Sequence, residues 1–346
     1  MRAAVLTEIG KIEIEDVPKP IIEDGEILIE VKACAICGTD IKMYRYGYAG
    51  INLPLILGHE LGGVITESKA DGTEFKIGDR VTINPNIPCE TCHYCVRGLH
   101  TACDNLSIMG VHIDGGFANF IKIPAQAVKK GCIFHIPENV SFEEATLTDP
   151  VSCAVNAAEL SKVKAGDIVV VIGAGPAGCL NIEVSKAFGA TKTILIQRTD
   201  QRLYQAAFVK ADVFINSSRE DPLKRVLEET DGRGADTIIV ACASIEAQEL
   251  AVKMVAKRGI VNLFGGLPKG SKCMEFDSNS IHYKESYVTG THGGSNRHCK
   301  IALDMIATGK IKAKEYLNFS FELSEFYNAL KMAEDKKGLK VIVRPN

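Results

Sequence analysis

Four cysteines crowd one short stretch of this sequence: Cys89, Cys92, Cys95 and Cys103. Four thiolates so close together suit a tetrahedral zinc ion, which takes bonds of about 2.3 Å to sulfur. All four positions on the ion would be filled, leaving none for water or substrate, so such a site would be structural. An iron–sulfur cluster fits less well, because no Cys-Pro signature follows the last cysteine. A second group, Cys37-Gly38-Thr39-Asp40 with Gly58-His59-Glu60, offers a thiol, an imidazole and a carboxylate. Three protein ligands with an open fourth place form the catalytic arrangement of zinc. By spacing alone, the same residues could equally be a satisfied core histidine and a buried thiol.

A third group is Gly173-x-Gly175-x-x-Gly178, with Pro176 and Ala177 inside it. It follows a continuous apolar run and opens a segment of helical periodicity. In that context the first glycine makes a turn, the second lets backbone approach a pyrophosphate, and the third packs helix on strand. The helix N-terminus then presents N–H groups and a positive dipole end to the phosphates.

These groups need elements to hold them. The N-terminal part reads as short alternating strands, at 11–17, 26–33 and 79–85, separated by Gly, Pro and Asp. That texture predicts an antiparallel or barrel-like domain. It changes near Asp149-Pro150. Apolar strands at 167–175, 193–197, 212–217, 235–242 and 259–266 alternate with helical stretches at 176–190, 200–211 and one running through Ala256. Strands apolar on both faces predict a parallel sheet covered on both sides. Two helical stretches, 298–311 and 324–335, and a closing strand in Leu339–Pro345 complete the chain.

The chain has 346 residues and a formal net charge of −3. At about 150 residues per domain, that length predicts two domains. The charge balance, with no long basic run, argues against nucleic acid or an anionic membrane as partner. No apolar run is long enough to span a bilayer, and charged Glu8 arrives before the apolar core of a signal peptide could form. The expected compartment is the cytoplasm, where twelve cysteines favour metal and packing over disulfides.

Taken together, Cys37-Gly38-Thr39-Asp40, Gly58-His59-Glu60-x-x-Gly63, the four-cysteine lobe, Asp114-Gly115-Gly116-Phe117, the glycine fingerprint and the closing strand resemble the zinc-dependent medium-chain dehydrogenase/reductase family, the alcohol and polyol dehydrogenases. The resemblance covers essentially the whole chain. It implies an α/β protein: a GroES-like β-barrel catalytic domain over 1–149, a doubly wound Rossmann domain over 150–290, and a return to the catalytic domain over 291–346.

The resemblance also implies roles. Cys37 and His59 match catalytic zinc ligands, and Glu60 the acidic residue that binds zinc directly or exchanges with water. Asp149 matches the third protein ligand, a carboxylate in the sorbitol, threonine and bacterial secondary-alcohol branch. Thr39 matches the hydroxyl of the proton relay. The relay's histidine has no clear counterpart, since Tyr44, Tyr46 and Tyr48 occupy its region. Cys153 matches a nicotinamide-facing position, and His292 lies where the family's chain returns near the cofactor. Two zinc ions per chain are expected, with Cys89, Cys92, Cys95 and Cys103 holding the structural one. Zinc at the other site would act as a Lewis acid on a substrate hydroxyl, Thr39 would pass the proton outward, and hydride would go to the nicotinamide.

The cofactor is NADP or NAD. An acidic residue about 20 residues past the fingerprint ordinarily bonds the ribose 2′-hydroxyl. Here that place holds Gln197, and Arg198 follows, which favours NADP; a small loop shift would instead hand the ribose to Asp200. The expected reaction interconverts a secondary alcohol (a polyol, sugar alcohol or cyclitol) and its ketone. L-threonine and simple secondary alcohols are alternatives, as are a zinc-independent reductase on the same fold and a non-catalytic zinc-lobed binding protein. The family resemblance implies a homodimer or homotetramer.

Overall fold

The computed structural model describes residues 1–268 and 270–345. The chain forms two units, one of Met1–Ser152 with Gly293–Asn346, the other of Cys153–His292.

In the first unit the alternating segments form two larger sheets, beside a two-stranded pair of Asn86–Ile87 and Ser107–Ile108. Strand Ile27–Ala35 (ILIEVKACA) is central and almost wholly buried. Its β-branched side chains fill both faces of the pleat. It pairs antiparallel with Glu60–Ser68, with Phe120–Ile123 and, through Ile342 and Val343, with the closing strand Lys340–Arg344. Arg80–Ile83, Ile133–His135 and Leu317–Glu322 extend this sheet to seven strands. A second sheet joins Lys11–Asp16, Arg2–Glu8 and Leu55–Ile56. Leu6, Ile29, Leu57, Ile65, Phe117 and Phe326 share the core, and the rings of Phe117 and Phe326 meet edge-on with centroids 4.8 Å apart. The pairing of Lys340–Arg344 with Ile27–Ala35 brings the chain's last residues beneath the segment that carries Cys37.

The second unit is a six-stranded parallel sheet. Its order is Val213–Asn216, Lys192–Gln197, Ile168–Ile172, Ala235–Val240, Val255–Leu263, Tyr287–Gly290. In chain order that is third, second, first, fourth, fifth, sixth. The order reverses at Ile168–Ile172, and ligands of such sheets bind beyond the strand ends at that switch point. The fingerprint glycines sit there.

Several boundaries depart from the sequence reading; the helix read over 200–211, for one, stops at Gln205. Helix Ile245–Met254 stops short of Ala256, and the fifth strand begins at Val255. Val255 pairs with Ala235, then the register shifts so that Ile260 faces Thr237. Arg258, at φ 61°, absorbs the extra residues. Sheet pairing overrides a local pattern that favours helix. The sixth strand, Tyr287–Gly290, had no counterpart in the sequence reading, being short and largely exposed. Helix Pro222–Glu229 was also missed, although Asp221 caps it by accepting from the N–H groups of Leu223 and Lys224 at 2.9 and 3.3 Å. Among the described residues no helix is long and apolar enough to cross a membrane.

Candidate active site

Cys37 ends an extended segment and caps helix Gly38–Tyr46. Asp40, in that helix's first turn and fully buried, returns the favour: its Oδ2 accepts from the Cys37 N–H at 2.8 Å. Its other oxygen, Oδ1, lies 3.5 Å from His59 Nδ1. One carboxylate therefore steadies both the thiol-bearing and the imidazole-bearing residue. His59 opens onto strand Glu60–Ser68 after Gly58, whose φ of +96° suits glycine alone among ordinary residues. A Cβ at Gly58 would also lie 2.8 Å from Cys34 Sγ and 2.9 Å from the Phe117 ring.

Ligand-type atoms of Cys37, His59 and Glu60 all lie within 4.8 Å of one another. His59 Nδ1, Glu60 Oε1 and Asp40 Oδ1 are buried without a hydrogen-bond partner. The other Glu60 oxygen accepts from Lys340, buried in the closing strand. Burial opposes charge on His59, but the Asp40 carboxylate and the Cys37 sulfur outweigh it and hold its pKa well above the usual histidine value. An imidazole nitrogen and two carboxylate oxygens thus stand unspent close to the Cys37 sulfur, which is the chemistry a divalent cation satisfies.

Asp149 stands outside this group of three. It lies in the first turn of helix Thr148–Leu160 and is nearly buried. Burial pushes its pKa up to about 6, the charge of His59 works against that, and Glu60 works with it. It is close enough to sense both residues, while Glu60 occupies the place among the three donors. Thr39 is half-buried in the first turn of helix Gly38–Tyr46. Cys153 is half-buried on helix Thr148–Leu160, and His292 is exposed.

The four-cysteine lobe closes on itself. The sulfurs of Cys89, Cys92, Cys95 and Cys103 all lie within 4.8 Å, with Cys89–Cys95 and Cys92–Cys103 both at 4.0 Å. Tetrahedral zinc with ~2.3 Å bonds places sulfurs ~3.8 Å apart, so the lobe fits the ion. The N–H groups of Thr91 and Cys92 hold the Cys89 thiol down at about 5. Those of Asp104 and Cys95 lower Cys92. Burial drives Cys95 up to about 12, a cost that a coordinated cation offsets.

In the second unit, Gly173 turns the chain out of strand Ile168–Ile172, and Gly175 caps helix Pro176–Ala187. A Cβ on Gly175 would meet nothing within 4 Å, leaving open space above the helix N-terminus, whereas one on Gly178 would lie 1.7 Å from the Gly173 carbonyl oxygen. The first observation leaves room for a pyrophosphate; the second explains the close packing of helix on strand. Gly178→Ala is expected to cost about 2 kcal/mol, as overpacking does, and to weaken dinucleotide binding. Urea unfolding checks it: a midpoint equal to that of the unaltered protein would show that the close approach is dispensable. At the end of strand Lys192–Gln197, Gln197 Oε1 accepts the Arg198 N–H at 2.7 Å, and Arg198 is exposed.

Sequence reasoning quoted Asp40 without giving it a role and passed over Lys340. The signal for Asp40 was its place three residues after a capping position. Nothing in KVIVR marks Lys340 as the buried one of its two cations, Lys340 and Arg344.

Comparison with known proteins gives these sites a setting. Residues 23–137 match the alcohol dehydrogenase GroES-like domain, and residues 176–308 match the zinc-binding dehydrogenase family. The chain is 31% identical to sorbitol dehydrogenase of Bacillus subtilis, covering 100% of this chain and 98% of that one. It is 35% identical to L-threonine 3-dehydrogenase of Pyrococcus furiosus, covering 89% and 90%. A zinc-binding dehydrogenase of Sinorhizobium meliloti, solved bound to NADP, superposes with a TM-score of 0.92 at 28% identity, covering 99% of each chain. An alcohol dehydrogenase of Escherichia coli CFT073, complexed with NADH, does so at 0.89 and 27%, also covering 99% of each. The chain therefore belongs to the zinc-containing medium-chain dehydrogenases, enzymes that act on CH–OH groups with NAD(P).

Proposed function

We propose that the chain interconverts the secondary hydroxyl of a polyol, sugar alcohol or cyclitol and the matching ketone, with NADP favoured over NAD. The observation that carries the reading is the cluster of half-buried Cys37 with buried His59 and Glu60; the charges of His59 and Glu60 also act on a further buried carboxylate, Asp149. Cys37, His59 and a carboxylate would hold zinc. Glu60 keeps one oxygen on Lys340 and one unspent, so it and Asp149 could exchange places as substrate or water enters. When bound, zinc supplies Lewis acidity to a substrate hydroxyl, and NAD(P) accepts the hydride.

The chain's own residues do the rest. Asp40 fixes Cys37 and His59 in position. Lys340 donates to Glu60 and gives its buried carboxylate a partner. Thr39 takes the proton leaving the substrate hydroxyl and hands it outward, since a hydroxyl accepts and donates at once. Gln197 in place of an acidic residue and the adjacent Arg198 support the NADP preference.

A panel of polyols, secondary alcohols and L-threonine, each followed by cofactor absorbance with NAD and with NADP, tests the reading. The expected result is highest kcat/KM on a polyol with NADP. Turnover confined to L-threonine, or a strong preference for NAD, would overturn the corresponding half.

A further inference from the structure

Asp200 opens helix Asp200–Gln205 just past the strand that ends at Gln197. It is the first carboxylate in the chain after Gln197, and both of its oxygens are engaged. Oδ1 accepts from Asn216 Nδ2 at 2.6 Å, and Oδ2 pairs with the guanidinium of Arg219. Asn216 ends the neighbouring strand and stands in register with Gln197. It also builds the turn that follows: its Oδ1 accepts from the Ser218 N–H at 2.9 Å and its carbonyl from the Arg219 N–H at 2.9 Å. A nearly buried asparagine thus fixes the backbone of Arg219 and the carboxylate that Arg219 meets.

Two guanidinium groups result at the C-terminal ends of adjacent strands. Arg198 makes no ion pair among the described residues, and Arg219 keeps its head largely in solvent, its side chain 72% exposed. A guanidinium has five donors in a fixed fork, so Arg219 can keep Asp200 and still offer a pair of N–H groups to a second anion. Gln197 has spent its amide oxygen on the Arg198 N–H and adds no negative charge.

We propose that Arg219 is, with Arg198, the anion-holding residue of a 2′-phosphate subsite, and that Asp200 is its counter-ion rather than a ribose ligand. The inference rests on the NADP reading above and names how this chain would achieve it. Asp200 and Asn216 act as positioning residues: they hold Arg219 over the end of the sheet before any ligand arrives, which lowers the ordering cost of binding. Phosphate recognition by paired arginines is bidentate and charge-assisted. Losing one such contact weakens binding by about tenfold or more.

Calorimetric titration of the zinc-loaded protein with adenosine 2′,5′-bisphosphate and with 5′-AMP separates the possibilities, because the two probes differ only in the 2′-phosphate. The unaltered protein is expected to bind the bisphosphate at least about tenfold more tightly. Arg219→Gln and Arg198→Gln should each remove about tenfold of that affinity and leave 5′-AMP unchanged. Asp200→Asn should hold 5′-AMP as before and bind the bisphosphate more weakly, by up to about tenfold, because the ligand must then order Arg219 itself. Equal affinity of the unaltered protein for both probes would sink the NADP reading and this inference with it. A bisphosphate preference that Arg198→Gln abolishes and Arg219→Gln leaves intact would keep the NADP reading and overturn the role of Arg219. Weakened 5′-AMP binding by Asp200→Asn would return that residue to the ribose. Thermal melting of each variant, all altered at exposed side chains, confirms the fold.

Discussion

His59→Ala is expected to lower kcat/KM about a thousandfold and to take the zinc content from two ions per chain to one. A thousandfold is ~4 kcal/mol of transition-state stabilisation, within what a Lewis-acidic ion contributes by stabilising developing charge. The geometry explains why a single residue carries so much. Among the described residues, Cys37, His59 and Glu60 are the group that meets around this point, and Glu60 already shares its charge with Lys340. Without the imidazole, a thiolate and a half-engaged carboxylate remain. The four-cysteine lobe is made by other residues and should keep its ion, so metal analysis reads the two sites separately. Asp40→Asn makes the informative contrast. It keeps the shape and removes the charge facing His59 Nδ1, so about a tenfold to hundredfold loss is expected, as for partners of metal ligands elsewhere. An alanine variant that keeps two zinc ions and activity within tenfold of the unaltered enzyme would place the catalytic ion somewhere else. One zinc ion in the unaltered protein would revive the zinc-independent reductase.

Much of this site is legible in the residues because coordination chemistry narrows the donor types. Thiol, imidazole and carboxylate are few in kind, so Cys37 and His59-Glu60 stand out as candidates, while their spacing alone leaves a core histidine and a buried thiol equally open and the family resemblance supplies the roles. The parallel sheet is legible for a similar reason: Ile168–Ile172 is a continuous apolar run and Ala235–Val240 ends in one, Ile238 to Val240, as strands of a doubly covered sheet do. What sequence could not supply was distance across the fold. Lys340 meets Glu60 from 280 positions away, and no local pattern links them. Asp149 came by family resemblance; it stands outside the group of three, and burial, then the charges of His59 and Glu60, act on its carboxyl. Tyr287–Gly290 escaped because an edge strand need not be apolar; its pairing with Val255–Leu263 is backbone chemistry, which side chains barely record.

Lys340→Met is expected to destabilise the fold by about 3–5 kcal/mol, the cost of leaving a buried charge without its partner. The Lys340 side chain is 5% exposed and that of Glu60 is 0%. Methionine preserves most of the apolar stem, so the change isolates the charge. Both Glu60 oxygens then lack a partner, since Oε1 has none already. The pH dependence follows from the sign of the shift. An unpaired buried carboxylate has its folded pKa raised above the unfolded value of about 4.3, so between the two the folded state binds more protons and stability rises as pH falls. The deficit should therefore shrink toward pH ~5. In the unaltered protein burial works against the lysine charge, but Glu60 and then Cys37 outweigh it and raise the Lys340 pKa. That contribution is complete below the ordinary lysine value and fades only as pH climbs past the raised one. Urea unfolding of Lys340→Met at pH 5 and pH 8 measures both effects, and Glu60→Gln in the same chain should recover most of the loss. A deficit under ~1 kcal/mol, too small for a stranded buried charge, or one that deepens on acidification, would mean that Glu60 does not depend on Lys340. The loss should be greatest with the metal chelated, because Glu60 is among the donors that would hold zinc, and without either cation its buried carboxylate has no counter-charge of its own.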